Sequence, residues 1–347
     1  MLREIFPLVP NLTYLKLPTG TYMPLDELRR GPFTRRLKSL EGVQVNYDIT
    51  LRNGIDPVVK LLRFLPNLEV ISILGPGDID ALALHEMEEA RQEPLKLDQI
   101  HTIIMIGVKS GLLLHTLTAS DLPALRQIGL TSYTNCSDDL TYAFQAAHGE
   151  KIESLTYLHP REWPGHRALP PIDTFELHPT LDELSFLLPK DMDHLKELFN
   201  ACPDDHPLRS LTLSKWTNTP TDRWEADPQT TGPTGNSPSS IIHSLIASPR
   251  HLESIVIDGF RWVRADLGVR ALQTGDSREM RGWSEKLKLA RVDLLDMDGK
   301  KQPILGGVTN GGMGGGVIME GRGRRRSSHH WAEPMRYHSD RLDEDGG

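Results

Sequence analysis

One spacing of apolar residues recurs along the chain. Residues 65–74, LPNLEVISIL, place Leu68, Ile71 and Ile73 at offsets of 0, 3 and 5, which fits neither an amphipathic helix nor a strictly alternating strand. The same offsets recur in ten segments, whose first positions are Leu12, Leu40, Leu68, Ile100, Leu125, Ile152, Leu181, Leu208, Leu252 and Leu289. Seven of the nine intervals between these positions measure 25 to 32 residues. A motif repeated at this interval predicts a solenoid of stacked units.

The spacing has a simple structural explanation. The second and third residues of each motif point to one side of a short strand, and the first residue reaches the same interior from the preceding turn. One unit cannot bury its apolar side alone, whereas stacked units bury it continuously. Segments with helical spacing of apolar residues lie between the motifs, at 54–65, 78–92, 137–149, 190–203 and 237–248. Prolines end several of these segments and start the next extended stretch, at Pro66, Pro123, Pro179, Pro207 and Pro249.

The repeat core, L-x-x-L-x-L, resembles that of the leucine-rich repeat. Helices need about 10 Å of room each, whereas neighbouring strands lie ~4.8 Å apart, so the stack must curve with the strands inside. We therefore expect an α/β solenoid of about ten irregular repeats, shaped as a horseshoe. Parallel strands are expected on its concave face and helices on its convex face.

Composition divides the chain into a repeat domain at 1–298 and a tail at 299–347. The tail holds 12 of the 29 glycines, an arginine block and an acidic end, a composition that predicts disorder. A Thr/Pro/Gly/Ser-rich segment at 217–240 predicts a mobile insertion within one repeat. We expect the array to end near Leu294, with a helix at 277–287 covering the last repeat. The Pro-rich link at 159–178 carries no helix signal.

Composition and motifs also restrict the function. The formal net charge of −8 gives no global case for nucleic acid. The sequence has no apolar run long enough for a membrane span, no secretory leader pattern, and no metal-ligand spacing around its two cysteines. The glycine-rich stretch at 306–317 lacks the Lys-Ser/Thr ending of a phosphate loop. We therefore expect an intracellular, cytoplasmic or nuclear protein that is not an enzyme, without cofactor, metal or membrane contact.

The style of the repeats suggests a family. The segments FPLVPNLTYLKL, FLPNLEVISIL and SDLPALRQIGL introduce strands by a Pro and a Leu, and they resemble the repeat half of fungal-type F-box/leucine-rich-repeat proteins over residues 1–298. In those proteins an N-terminal F-box docks on the Skp1 adaptor of a cullin ubiquitin ligase, and the repeats hold the substrate. The resemblance therefore implies substrate recognition. Because the first repeat begins at once, no F-box is expected and Skp1 binding is not predicted.

Two functions follow from these patterns. The first is a protein–protein interaction scaffold, in its narrower form the substrate-recognition part of a ubiquitin-ligase receptor that lacks its F-box. The second is a nucleic-acid-associated regulator that uses the arginine block at Arg322, Arg324, Arg325 and Arg326. Ser327 and Ser328, directly after this block, are candidate phosphorylation sites whose charge would weaken the contacts of the arginines with an acidic partner.

Alternation along the strands predicts which side chains face a partner. On the concave face we expect Tyr14, Lys16, Val70, Leu74, Thr102, Ile104, Ile106 and Gln127. Among them Val70, Leu74, Ile104 and Ile106 would form an apolar patch on adjacent strands, unless a loop or the tail covers them. Aromatic residues just beyond the strands, which include Tyr133, Trp216 and Trp262, either line the rim as binding anchors or pack between turns. Packing is favoured, because large aromatic side chains are more often buried.

Overall fold

The structure is a computed structural model, and it describes residues 6–18, 25–44, 56–75, 93–108, 111–131, 136–158, 170–187, 192–214, 251–258, 260–262 and 276–302. These ranges contain ten strands, which form one parallel sheet in chain order. They are β1 (Tyr14–Lys16), β2 (Ser39–Gln44), β3 (Val70–Leu74), β4 (Thr102–Ile106), β5 (Gln127–Leu130), β6 (Ser154–Tyr157), β7 (Glu183–Leu187), β8 (Ser210–Ser214), β9 (Ser254–Asp258) and β10 (Asp293–Asp296). Strands paired in this order make a solenoid, so the predicted α/β leucine-rich-repeat fold is confirmed.

Consecutive strands are joined by carbonyls that each accept two hydrogen bonds. The carbonyl of Lys38 accepts from the backbone N–H groups of Glu69 and Val70, at 2.7 and 2.9 Å. The same arrangement recurs at the carbonyls of Thr13, Glu69, His101, Arg126, Glu153, Asp182 and Arg209. Each of these residues directly precedes a strand. This recurring backbone contact therefore fixes the position of each repeat relative to the next.

The core follows the predicted positions of the motif. The middle residue of the motif forms a row of aligned aliphatic side chains, each at most 3% exposed: Leu40, Ile71, Ile103, Ile128, Leu155, Leu184, Leu211, Ile255 and Leu294. A parallel row of buried residues lies two positions further along most strands, from Ile73 to Ile257. Rows of this kind bury a continuous apolar surface along the stack, which is the main stabilising contribution in a solenoid.

The described part of the chain contains seven α-helices and two short 3-10 helices, Phe6–Leu8 and Gly149–Lys151. The α-helices are α1 (Leu25–Arg29), α2 (Pro57–Leu62), α3 (Gly111–Thr118), α4 (Cys136–His148), α5 (Thr174–Leu177), α6 (Met192–Asn200) and α7 (Asp276–Leu289). The helices predicted at 54–65, 137–149, 190–203 and 277–287 are confirmed as α2, α4, α6 and α7. Those predicted at 78–92 and 237–248, like the insertion predicted at 217–240, lie outside the described residues.

The second repeat begins earlier than predicted. Strand pairing aligns Leu40 with the middle position of the motif, so Leu37, which is fully buried, is the first core residue of this repeat. A bulge in β2 then shifts the third core residue by one, from position 42 to Val43. Gly42 occupies the bulge with φ of +74°, a conformation that glycine adopts far more readily than other residues.

The last repeat is also offset from the prediction. Leu294 pairs with Ile255 and therefore takes the middle position of the motif, where the sequence pattern placed Val292. Leu289, predicted as the first core residue, lies at the end of α7 and is 88% exposed. The third position is occupied by Asp296. The motif was placed two residues too early, because Leu289 at the end of α7 matches the apolar spacing by chance.

Three short helices carry weak sequence signals. We predicted no helix in residues 159–178, but α5 occupies Thr174–Leu177, and α1 and α3 were not predicted either. Phe175 in α5 is 1% exposed, and its ring contacts those of Phe199 and His206 at centroid distances of 5.8 and 4.9 Å. Packing of this ring into the core, more than local propensity, therefore stabilises so short a helix.

A buried carboxylate ends the array. Asp296, 1% exposed, accepts hydrogen bonds through Oδ1 from the N–H groups of Asp298 and Lys300, at 3.0 and 2.8 Å. Its Oδ2 accepts from the N–H of Trp262 at 3.2 Å. These three hydrogen bonds stabilise the buried carboxylate of Asp296, whereas burial without partners would be costly.

The chain then folds back on the outer strand. Leu295 forms an antiparallel bridge with Lys301, after a turn at Gly299 with φ of +71°. Residues 299–302, the first residues of the tail predicted at 299–347, are thus paired with β10. The rest of that tail, 303–347, lies outside the described residues, and the domain boundary stays a prediction.

Truncation tests where the folded array ends. A chain that stops after Gln302 keeps the turn, whereas one that stops after Asp298 loses the N–H of Lys300 and its contact with Asp296. We expect the free energy of unfolding of the shorter chain to be smaller by about 1–3 kcal/mol. The shorter chain should therefore unfold at a lower urea concentration. Equal midpoints for the two truncated chains in urea would show that the turn contributes nothing to the fold.

A pair of glycines tests how tightly the repeats stack. A Cβ on Gly149 would lie 2.1 Å from the carbonyl oxygen of Leu177 in the next repeat, whereas a Cβ on Gly282 in α7 would meet nothing within 4 Å. We expect Gly149→Ala to destabilise the fold by about 2 kcal/mol or more. Gly282→Ala should instead stabilise it by roughly 0.5–1 kcal/mol. Urea unfolding of both variants decides this, and equal effects of the same sign would contradict it.

Candidate functional site

The side of the sheet that points away from the core is called the open face here. Strand pairing aligns its side chains in rows across the sheet. One row contains Tyr14, Ser39, Val70, Thr102, Gln127, Ser154, Glu183, Ser210, Ser254 and Asp293. The next contains Ser72, Ile104, Gly129, Thr156, Ser185, Thr212, Val256 and Leu295. The residues predicted on the concave face lie on this side.

The predicted apolar patch forms, but half of it is buried. Val70, Leu74, Ile104 and Ile106 lie together on β3 and β4, where Leu74 pairs with Ile106. Val70 and Ile106 are half-buried, whereas Leu74 and Ile104 keep only 7% and 9% of their exposure. The role of the patch as a binding site stays a prediction. The alternative in which a loop or the tail covers the patch also stays a prediction.

Ile104 packs over a position that has no side chain. A Cβ on Gly129 would lie 3.3 Å from Cγ1 of Ile104 and 3.3 Å from Cδ1 of Leu158. Ile104 and Leu158 thus close over the Gly129 backbone and share the space that a side chain would take. This contact accounts for part of the burial of Ile104 on a face that carries polar residues elsewhere.

The other predicted face residues differ in exposure. Tyr14 on β1 is 52% exposed, and Lys16 on the same strand is also exposed. Thr102 is buried and donates a hydrogen bond from Oγ1 to Oε1 of the exposed Gln127, at 3.0 Å. Nδ1 of His101 lies 2.9 Å from the same hydroxyl. Thr102 is therefore held by its neighbours, and Gln127 is the more accessible of the two.

The open face changes character from β6 onward. Six half-buried hydroxyl side chains form what we call the hydroxyl floor: Ser154, Thr156, Ser185, Ser210, Thr212 and Ser254. Ser254 Oγ donates to Ser210 Oγ at 3.4 Å, and Ser214 Oγ donates to Asp258 Oδ2 at 3.2 Å. Short side chains on four adjacent strands leave a flat surface with hydrogen-bonding groups at the regular spacing of the strands.

Charged side chains line the edge of the sheet where the strands begin. This rim ladder consists of Lys38, Glu69, His101, Arg126, Glu153, Asp182, Arg209 and Glu253, the residues directly before β2 to β9. Lys38 pairs with Glu69 at 2.7 Å and Arg126 with Glu153 at 3.3 Å. The sequence analysis did not single these residues out, although each lies one position before a strand that it predicted. Exposed ion pairs contribute little stability, so the ladder mainly sets the charge of the rim.

Three histidines link repeats in the interior. Nε2 of His148 lies 2.9 Å from the carbonyl oxygen of Leu117, and Nε2 of His206 lies 3.0 Å from that of His178. Nε2 of His178 lies 3.3 Å from Oε1 of Gln145. The three rings are at most 4% exposed. Because each acceptor is an oxygen, each Nε2 donates a proton, and the neutral ring suffices for this bond.

Burial determines the protonation of these rings. Desolvation lowers the pKa of His178 to about 4, and it also lowers the pKa of His148 and of His206. The hydroxyl of Tyr157 donates to the same Gln145 oxygen at 2.9 Å, and burial raises the pKa of Tyr157. All four groups are therefore neutral near pH 7. Their contacts give His178 and His206 structural roles.

Of the predicted rim aromatics Tyr133, Trp216 and Trp262, the structure describes Trp262. Trp262 is 8% exposed, and its ring contacts that of Phe260 edge-on at a centroid distance of 4.9 Å. The ring is therefore buried, and the choice between a binding anchor and packing between turns stays a prediction. Tyr133 and Trp216 lie outside the described residues, as do the candidate phosphorylation sites and the arginine block: Ser327, Ser328, Arg322, Arg324, Arg325 and Arg326.

Within the described ranges, no group of three or more His, Cys, Asp or Glu side chains is arranged to hold a metal ion. None of the described helices is both long and apolar enough to cross a membrane.

Comparison with known proteins does not identify a family. No family model matches the chain, and no curated protein matches it. Among solved structures it is similar to the leucine-rich repeat-containing protein LegL7 from Legionella pneumophila, with 16% identity and a TM-score of 0.36. That match covers 83% of this chain and 91% of the other. At this distance the similarity carries no argument about function.

The histidine contacts predict acid sensitivity. The pKa of His178 is about 4 when folded, against an ordinary value of 6.5. Below pH 6.5 the unfolded chain therefore takes up a proton that the folded chain refuses, and the free energy of unfolding falls as the pH falls toward 4. His178 alone accounts for roughly 3 kcal/mol of this loss.

Replacement of His178 by leucine tests this. Leu65, Leu97 and Leu122 occupy the equivalent position in earlier repeats. We expect His178→Leu to flatten the pH dependence between 6.5 and 4 in urea unfolding, while His251→Gln at an exposed position leaves it unchanged. An unaltered slope in His178→Leu would contradict the assignment.

Proposed function

We propose that the chain is a protein–protein interaction scaffold that binds its partner on the open face, and not an enzyme. The observation that supports this most directly is the exposure along β6 and β8 to β10. Core positions there are buried, and the positions between them are half-exposed across adjacent strands. The backbone of such a sheet is rigid, so partner contacts need little ordering of the scaffold.

The chemistry of this part of the face suits a protein surface. The hydroxyl floor offers donors and acceptors that pair with backbone or polar side chains, and the rim ladder provides charge beside it. Polar groups of this kind determine orientation and specificity, while affinity concentrates in a few contacts. Tyr14, exposed on the first strand of the face, is an aromatic contact of the type enriched at interfaces.

A narrower form of the proposal makes the partner a substrate for ubiquitination. It is supported by the resemblance of the repeats to those of fungal-type F-box/leucine-rich-repeat proteins. In this form the chain selects the protein to be modified and presents it to the ligase. It predicts that captured partners carry ubiquitin chains when the scaffold is present.

Blocking the floor tests the proposal. We expect Thr156→Tyr together with Thr212→Tyr to weaken partner binding roughly tenfold or more, because two rings then stand where a partner must approach. Strands accept tyrosine well, so the fold should be kept. Proteins captured by the full chain would be quantified by mass spectrometry.

The matched control places the same side chain elsewhere. Glu197 is exposed on α6, in the helical layer, and Glu197→Tyr should leave the captured set unchanged. Circular dichroism and the unfolding midpoint show whether each variant is folded. If both variants capture the same proteins as the unmodified chain, the open face of β6 to β9 is not the binding surface.

A further inference from the structure

The open face of β6 to β10, with its rim, carries an excess of carboxylates. Six lie there in the described part of the chain: Glu153, Asp182, Glu183, Glu253, Asp258 and Asp293. Three basic side chains contact them, namely Arg126, Arg209 and Lys301. Six negative against three positive charges leave this part of the face at −3.

The basic side chains only partly neutralise this charge. Arg209 lies 3.5 Å from Asp182 and 3.9 Å from Glu253, and these side chains are 54%, 37% and 71% exposed. Exposed carboxylates in such loose pairs can accept further hydrogen bonds from a second cation. Glu183 is exposed at the edge of the hydroxyl floor, and it forms no ion pair with any residue of the described ranges. The face is therefore suited to a segment with several positive charges.

The chain itself contains such a segment. Residues 321–326 read GRGRRR and carry four arginines within six positions. We propose that this arginine segment binds the open face of β6 to β10 in its own chain and competes there with the partner. The inference rests on the proposed function, because competition matters only if that face binds a partner. Guanidinium groups donate in a planar fork that matches the two oxygens of a carboxylate, and single N–H groups can also donate to hydroxyl oxygens.

The length of the chain permits this contact. Gln302 is the last described residue, beside β10, and Arg322 follows 20 positions later. Twenty residues span at most about 70 Å. Strands β10 and β6 are four strand spacings apart, or roughly 19 Å. The arginine segment can therefore reach every carboxylate of the face without any movement of the sheet.

Phosphorylation would regulate this contact. Ser327 and Ser328 directly follow the arginines, and two phosphates add about −3 to −4 of charge at pH 7. That charge offsets the four arginines and is repelled by the carboxylates of the face. Modified chains would therefore expose the face to the partner, and unmodified chains would keep it occupied.

Limited trypsin digestion of the full chain tests the proposal without any partner. Mass spectrometry measures the rate of cleavage at residues 322–326. We expect Glu183→Gln together with Glu253→Gln to accelerate this cleavage about fivefold, because protease acts on the released segment. Neither substitution creates a new trypsin site. The matched control, Glu197→Gln with Glu285→Gln, removes two exposed carboxylates from helices α6 and α7 and should leave the rate unchanged.

A peptide of residues 321–330 provides a second arm that uses no protease. Labelled with a fluorophore, it should bind the full chain in which Arg322, Arg324, Arg325 and Arg326 are replaced by glutamine, while the same peptide phosphorylated at Ser327 and Ser328 should bind at least about tenfold more weakly. Equal cleavage rates in the full chain and both double variants, together with equal binding of the two peptides, would overturn the proposal. A rate that depends on chain concentration would assign the contact to a second copy and also overturn it. Because no partner is present, either result leaves the proposed scaffold function to its own test.

Discussion

The recurring carbonyl that accepts two N–H groups is the constraint on which this structure depends. This carbonyl belongs to the residue directly before each of β1 to β8. Because only the backbone of that residue makes the contact, its side chain can vary. Lys38, Glu69, His101 and Arg126 all occupy this position and bond the next repeat in the same way. The apolar motif buries the core on one side of that position, while the backbone fixes register there. Charged residues can therefore form the rim ladder without disturbing the stack.

The interior shows what happens where an apolar position is replaced. Leu65, Leu97 and Leu122 lie three residues before the first core residue of their repeats, and His178 takes that place in a later one. The polar ring remains buried because Gln145 accepts from it. Hydrogen bonds thus substitute for part of the apolar contact. The substitution places a histidine of lowered pKa in the core, so this repeat is destabilised at acid pH.

Much of the fold could be predicted from sequence, because strand position and core direction follow from a spacing that only stacked strands satisfy. Eight motif copies lie in the predicted register. The second failed because the bulge at Gly42 depends on backbone conformation, and the last because Leu289 in a helix imitates a core residue. The candidate site was harder to predict. Alternation gives the side of the sheet but not its exposure, so the burial of Leu74 and Ile104 could not be foreseen.

The two parts of the open face follow from one geometric fact. Every strand presents the same positions at the same spacing, so the side chains at those positions decide the surface without altering the fold. Across β3 and β4 four of them are apolar, and Ile104 closes over the backbone of Gly129. Across β6 to β9 most are short hydroxyl side chains that leave the sheet half-exposed, and the carboxylates at its edge outnumber the basic groups that contact them within the described residues. One fold therefore presents an apolar surface in one part of the sheet and an acidic, hydroxyl-lined surface in another.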